Sequence, residues 1–343
     1  VSAADAPVRA ARASAALGAG RWQAILGSVA LAALGYLGFS LWGGWHEVAS
    51  AVARVGWGGV AALLALSALN YLLRFGRWQV YLRQLGTRIP WAQSLAIYLA
   101  GFSLTTTPGK AGEAVRSVFL KQRGMPYIAG MAAFVSERLS DLIGIVVLAC
   151  IGLADHPEMR PLVLVAIGAC LVVLSLLSAG DALAVLHRRS EAATSRSGRA
   201  WHHLLGIARA AKNCHRLPVL LPVTLLSVVA WSCEALAFHL LLRWLGMPTS
   251  WGFSFFVYAV GMLAGALSFL PGGLGSTEAV MVGLLLWSGH PQADSVAAIV
   301  VIRVCTLWFA VLLGLVALPV VARSPRADAA RGAQEGPTAG EAV

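Results

Sequence analysis

The sequence predicts an all-α fold: a polytopic membrane helix bundle built as an inverted repeat, with about three spans and one re-entrant Pro-Gly helical hairpin in each half. Three observations lead there. The chain is 58% hydrophobic and 12% charged over 343 residues. Its mean hydropathy is +0.75, so its surface is not one that water can cover, and several apolar runs are long enough to cross a bilayer. Residues Pro108-Gly109-Lys110-Ala111-Gly112-Glu113-Ala114-Val115 recur, slightly expanded, as Pro271-Gly272-Gly273-Leu274-Gly275-Ser276-Thr277-Glu278-Ala279-Val280. Finally, the placement of Lys and Arg gives the two halves opposite orientations.

The repeat extends beyond the motif. Arg83, Leu85, Gly86, Trp91, Tyr98 and Gly101 match Arg243, Leu245, Gly246, Trp251, Tyr258 and Gly261 at an offset of 160. Downstream, Ala132, Ala133, Val135 and Arg138 match Ala297, Ala298, Val300 and Arg303 at an offset of 165. Two glycine-rich turns alike by chance are the alternative, and the identities in register on both sides weigh against it. A membrane protein whose apolar segments break at Pro-Gly in corresponding places has the pattern of a transporter-like site.

Taken in order, residues 1–20 read as a cytoplasmic N-terminal tail, 21–155 as the first membrane repeat, 156–322 as the second with a cytoplasmic loop 188–216, and 323–343 as a disordered cytoplasmic tail. Full spans fall at about 24–43, 57–78, 127–153, 161–187, 217–242 and 295–321. The first is too long for the apolar core of a signal peptide and reads as an uncleaved helix. Loop 188–216 carries Arg188, Arg189, Arg196, Arg199, Arg209, Lys212 and Arg216, which the positive-inside rule places in the cytoplasm. Walking along the chain then puts Arg74, Arg77, Arg83, Arg88, Arg116, Lys121 and Arg123 inside and leaves Arg54, Arg160 and Arg243 outside. Segment 91–122 therefore enters and leaves from the cytoplasm, bending at Thr107-Pro108-Gly109, while 251–289 does the same from outside. The competing arrangement has eight full crossings and puts Arg116, Lys121 and Arg123 outside.

Charge within hydrocarbon costs roughly 2.5–3.5 kcal/mol per residue on insertion scales, so it marks a partner or a pathway. Lys110, Glu113, Glu137, Arg138, Asp141, Glu234, Glu278 and Arg303 fall at that depth. Glu137 and Asp141 share a helix face, with Arg138 beside them. Thr107 suits a helix cap and Pro108 a first turn. Gly109, Gly112, Gly272, Gly273 and Gly275 permit tight bends. Backbone N–H groups freed at such half-helix starts attract anions, and Lys110, Arg138 and Arg303 would add full charges for a phosphate. Glu113, Glu137, Asp141 and Glu278 would position those cations or carry protons. Equally open is that Glu113 and Glu278 only neutralise Arg138 and Arg303.

The other chemistries have little support. The five cysteines form no disulfide framework or zinc spacing, and the histidines lack ligand partners at metal spacing. No P-loop, nucleophile elbow or His-Glu-x-x-His occurs, so no cofactor, metal or catalytic residue is expected. The net charge of +11 fits anionic lipid better than nucleic acid.

Thr107–Arg116, Glu137-Arg138 with Asp141, and Pro271–Glu278 resemble the transmembrane domain of the lysylphosphatidylglycerol synthase family, as do Asn70–Arg74 with Arg77-Trp78. The likeness covers roughly 20–322. It implies a flippase-like protein of the bacterial inner membrane that moves an anionic lipid or lipid-linked headgroup between leaflets. The short polar tail 323–343 has no room for an aminoacyl-transferase domain, so lipid aminoacylation by this chain is rejected. Two other readings are an accessory subunit for a separate lipid glycosyl- or aminoacyl-transferase and a proton-coupled transporter of a small anion.

The topology is directly testable. In a background without native cysteines, Lys121→Cys is expected to label only from the cytoplasmic face of intact cells. Labelling from outside would replace the re-entrant hairpin with eight crossings.

Overall fold

A computed structural model of the chain describes residues 45–107, 111–152, 160–178, 180–190, 195–268 and 270–323, with isolated positions besides. Among them every regular element is helical. The first, α1, runs from Trp45 to Gln84 and bends at Gly56, whose φ of 68° and ψ of 168° leave the helical region. It is followed by α2 (Trp91–Phe102), a 3-10 turn (Ala111–Ala114), α3 (Val115–Lys121) and α4 (Tyr127–Gly152). Then come α5 (Arg160–Ser178), α6 (Gly180–Arg189), α7 (Arg196–Lys212) and α8 (Leu217–Trp244). The last stretch holds α9 (Trp251–Leu267), α10 (Ser276–Trp287) and α11 (Gln292–Arg303), which continues through a π turn (Val304–Trp308) into α12 (Phe309–Arg323).

Span lengths follow from the apolar runs. His46–Gln84, Leu217–Trp244 and Gln292–Ala322 are long and apolar enough to cross a membrane. The expected spans 57–78, 127–153, 217–242 and 295–321 lie on α1, α4, α8 and α11–α12. Segment 161–187 falls on two helices, α5 and α6. Loop 188–216 also differs from expectation, because it contains α7. That helix starts where Ser195 Oγ accepts the Gly198 N–H at 3.0 Å, the side-chain cap that a helix N-terminus needs. The expected span 24–43 and both tails lie outside the described residues.

Each of the segments expected to form a hairpin, 91–122 and 251–289, holds two short helices. At 12 residues, α2 is about 18 Å long, well short of the ~30 Å hydrocarbon core. The long helices fix where these segments sit. α1 and α8 run antiparallel: Arg54 donates to the Leu245 carbonyl at 3.2 Å, Asn70 to the Ala230 carbonyl at 2.7 Å, and Arg77 to Ser227 Oγ. α4 also runs antiparallel to α1, since Tyr81 bonds Ser140 and Arg77 bonds Asp141 farther along. Both ends of segment 91–122 thus lie at the Gln84 end of α1. The ends of 251–289 lie at the opposite end, where Arg54 also pairs with Asp294 at 2.6 Å.

Contacts recur at the offsets of the sequence repeat. α2 packs along α12, and α9 packs along α4. Gly101 leaves room for the Arg116 side chain where Gly261 leaves room for Met281. Tyr71 Oη donates to the Thr306 carbonyl, and its counterpart Trp231 donates Nε1–H to Asp141 Oδ1 at 3.2 Å.

Gly314 of α12 makes the closest approach to another helix's backbone: an added Cβ would run into Phe102–Ser103. Gly314→Ala is expected to cost about 1–3 kcal/mol through overpacking. Gly168→Ala, where a Cβ meets nothing within 4 Å, should be neutral or stabilising. Thermal unfolding in detergent measures both.

Candidate functional site

Burying a charge in an apolar bundle is tolerable only when it is paired and hydrogen-bonded. The first half meets that condition with a closed ring of alternating charges. Arg116 Nη2 donates to Glu113 Oε2 at 2.9 Å, and its Nη1 to Glu137 Oε2 at 2.7 Å. Glu137 Oε1 lies 3.9 Å from Arg77 Nη2, which donates to Asp141 Oδ1 at 2.7 Å. Arg138 closes the ring, with Nη2 at 3.0 Å from Asp141 Oδ2 and 3.4 Å from Glu113 Oε2. Arg74 adds a further bond to Asp141 Oδ2 at 3.1 Å, and Thr105 Oγ1 donates to Glu113 Oε1 at 2.9 Å. Faces of Tyr98, Phe102 and Trp78 surround the Arg116 guanidinium, Tyr98 at 4.3 Å, and strengthen its hold by cation–π attraction.

The second half has a simpler counterpart. Arg303 Nε donates to Glu278 Oε1 at 2.6 Å, and Nη2 to the Gly272 carbonyl at 3.1 Å. Glu278 Oε2 also accepts the Gly275 N–H at 2.6 Å, so one carboxylate caps α10 and holds Arg303. Glu234 accepts from Tyr258 Oη at 2.5 Å.

The two breaks meet. Gly272 N–H points at the Thr107 carbonyl at 3.5 Å, and a Cβ on Gly272 would lie 3.3 Å from Thr106 Cα. Gly272 and Gly273 have φ of 63° and 69°, a region that glycine enters without strain. Thr107 Oγ1 accepts the Gly112 N–H at 2.7 Å, so it caps the 3-10 turn. Between the halves lies a polar chamber of about 30 Å³ bounded by Arg74, Glu113, Glu234, Tyr258 and Arg303, with room for a water or two. Beside it a larger cleft of about 280 Å³ has Arg138 and Asp141 at its head and Ile145, Leu263, Leu267 and Leu270 along its walls.

Glu113, Glu137, Arg138 and Asp141 are thus brought together, Glu278, Arg303 and Gly272 form a second group, and Gly273 lines the cleft. Gly109 and Lys110 lie outside the described residues. Three corrections follow. Arg74, Arg77 and Arg116 were expected in the cytoplasm, but they are at most 5% exposed; Arg77 and Arg116 are members of the ring, and Arg74 bonds to it through Asp141. Their signal was the helical stripe Asn70, Arg74, Arg77, Tyr81, spaced to face one side. The backbone donors expected to receive an anion at the second break are engaged: the N–H groups of Gly273, Leu274 and Thr277 go to the carbonyls of Leu270, Pro271 and Gly273, and that of Gly275 to Glu278. Both pairs expected between hairpin glutamates and helix arginines are present, but Glu113 is shared with Arg116.

Helices able to span a bilayer, closed around paired charges with a largely apolar cleft beside them, define an integral membrane protein with a polar site in its interior. The chain belongs to the family described as the lysylphosphatidylglycerol synthase TM region, whose model matches residues 19–314. It is 24% identical over 284 residues to a UPF0104 membrane protein of Pyrococcus horikoshii, covering 73% of this chain and 83% of that one. It is 31% identical over 113 residues to a UPF0104 membrane protein of Methanothermobacter thermautotrophicus, a match spanning 33% of each chain.

Arg303→Ala is expected to strand the Glu278 carboxylate and cost about 3–5 kcal/mol. Removing both charges, as Arg303→Met with Glu278→Gln, should be less costly than the two single changes summed. Unfolding free energies that add would mean the pair is not coupled.

Proposed function

We propose that this chain is a flippase-like transporter that moves an anionic lipid or lipid-linked headgroup between the leaflets of the bacterial inner membrane. One observation carries the reading. Arg138 is 23% exposed in its side chain, lines the cleft, and its buried Nε has no hydrogen-bond partner among the described residues, while its Nη2 faces the Asp141 and Glu113 carboxylates at 3.0 and 3.4 Å. A phosphate oxygen there would meet the unused Nε–H of a guanidinium and compete with the carboxylates for Nη2, while acyl chains lie along Ile145, Leu263, Leu267 and Leu270. Leu267 and Leu270 are 61% and 43% exposed, so the apolar wall continues to the outer surface of the bundle.

The arrangement in the membrane belongs to the same proposal. The halves form an inverted repeat, with segment 91–122 dipping from the cytoplasm and 251–289 from outside, and both termini cytoplasmic. Its support is the antiparallel crossing of α1 and α8 and the opposite ends at which the two hairpins begin and finish. No bond-making step is assigned to this chain; modification of the lipid would be the work of a separate enzyme.

The test is lipid scrambling in reconstituted vesicles with a fluorescent anionic phospholipid. Wild type should accelerate transfer, and Arg138→Gln should reduce it about tenfold, the worth of one hydrogen bond to a charged group. Undiminished transfer by Arg138→Gln would remove Arg138 from the path. Wild type that accelerates no anionic lipid would favour an accessory subunit for a lipid-modifying enzyme.

A further inference from the structure

The geometry points to a second phosphate-binding site, at the Gln84 end of α1, outside the charged ring and independent of the cleft reading. A pocket of about 350 Å³ there is lined by Gln79, Arg83, Thr87, Arg88, Ile89 and Trp91. The lining contains donors and no carboxylate. Gln79 is 6% exposed, and its Nε2 is buried with no hydrogen-bond partner among the described residues, a deficit that an acceptor in the pocket would relieve. The pocket also adjoins the N-terminus of α2, which has Pro90 at the cap position and no side-chain cap. Its first N–H groups and the positive end of its dipole therefore face the same space.

The duplicated half supplies an internal comparison. At the offset of 160, Gln79, Thr87, Arg88, Pro90 and Trp91 correspond to His239, Met247, Pro248, Ser250 and Trp251. There Ser250 Oγ accepts the Phe253 N–H at 3.1 Å, so the helix start is capped. His239 stacks on Trp251 at 4.2 Å, and its Nδ1 lies 2.9 Å from Ser254 Oγ. The same turn is thus closed on itself in the second half, where Thr249 Oγ1 also lies 2.7 Å from Ser254 Oγ, and in the first half it is open and carries one more arginine.

The ligand these groups fit is a phosphate. Trp91 is 62% exposed beside the two arginines, a pairing of ring and cation suited to the membrane–water boundary. An anionic phospholipid headgroup would bring the phosphate there in the plane of the membrane. Free phosphate would offer the same oxygens from solution.

The test uses the full chain in phosphatidylcholine nanodiscs containing a minor share of phosphatidylglycerol, with retained phosphatidylglycerol counted by native mass spectrometry. An Arg138→Gln background keeps lipid bound at the cleft out of the count. The chain should retain phosphatidylglycerol, and adding Arg83→Gln with Arg88→Gln should weaken retention about tenfold or more. Gln79→Leu, which removes only the buried amide, should weaken it too. Arg243→Gln, the counterpart of Arg83→Gln in the closed turn, should not. Displacement by added inorganic phosphate would assign the site to the soluble ion, and resistance to it would assign the site to the headgroup. Retention unchanged in the double variant, or an equal loss in Arg243→Gln, would overturn the site. Melting temperatures of each variant separate lost binding from lost folding.

Discussion

Charge has to be matched within this bundle, and the positions of most of its elements follow from how the match is made. The ring of Glu113, Arg116, Glu137, Arg77, Asp141 and Arg138 draws on α1, the first hairpin and α4. Side chains of Ser227 and Trp231 extend it to α8. No member can move far without leaving an opposite charge uncompensated in a low-dielectric surrounding, where the penalty exceeds that of a lost surface pair several-fold. Glycine makes the geometry possible. Gly101 yields its side-chain volume to Arg116, so the guanidinium reaches both glutamates from inside the hairpin.

The two halves share a backbone solution and differ in what fills it. Arg138 and Arg303 occupy equivalent places and each meets a glutamate from its own hairpin. Beyond that they diverge. Met281 stands where Arg116 would be, Thr306 where Asp141 would be, and Glu234 where Arg74 would be. The second half therefore satisfies Arg303 with one carboxylate and one backbone carbonyl, both close. In the first half Arg138 is held at 3.0 and 3.4 Å by carboxylates that other arginines already use. Among the arginines of the ring, Arg138 is the one that is partly exposed, and it is the one that lines the cleft.

Much of this was legible from residues alone. Apolar run length located α1, α4, α8 and α11–α12, and Pro-Gly with its glycines located both breaks. The hairpin glutamates were matched with Arg138 and Arg303 because each was a charge at membrane depth with an opposite charge in the corresponding place. Arg74, Arg77 and Arg116 were misplaced for a physical reason. A cation near the end of an apolar run looks the same whether it faces water or turns back into the bundle, and only its phase relative to buried neighbours such as Trp78 and Tyr81 separates the cases. Helix α7 was hidden by its polarity, since loop 188–216 reads as a charged linker until the Ser195 cap is noticed. The closure of the second break was hidden because Glu278 reads as a partner for Arg303, and its other oxygen takes the Gly275 N–H.

That closure shifts where an anion would be recognised. With the backbone donors of the second turn engaged internally, phosphate contact in the cleft would depend on side chains, and in the proposed function Arg138 would make it. A guanidinium suits the task because its five donors are fixed in a planar fork. It can keep Nη2 on Asp141 and offer Nε elsewhere. A fully satisfied arginine would have to break an existing pair before accepting a phosphate, and an isolated one would bind the phosphate too tightly to release it. Partial satisfaction, with carboxylates competing at 3.0 and 3.4 Å, lies between these limits. In the proposed flippase it would let a headgroup bind and leave without exposing an uncompensated charge at either step, a condition that any path for anions through a low-dielectric interior has to meet.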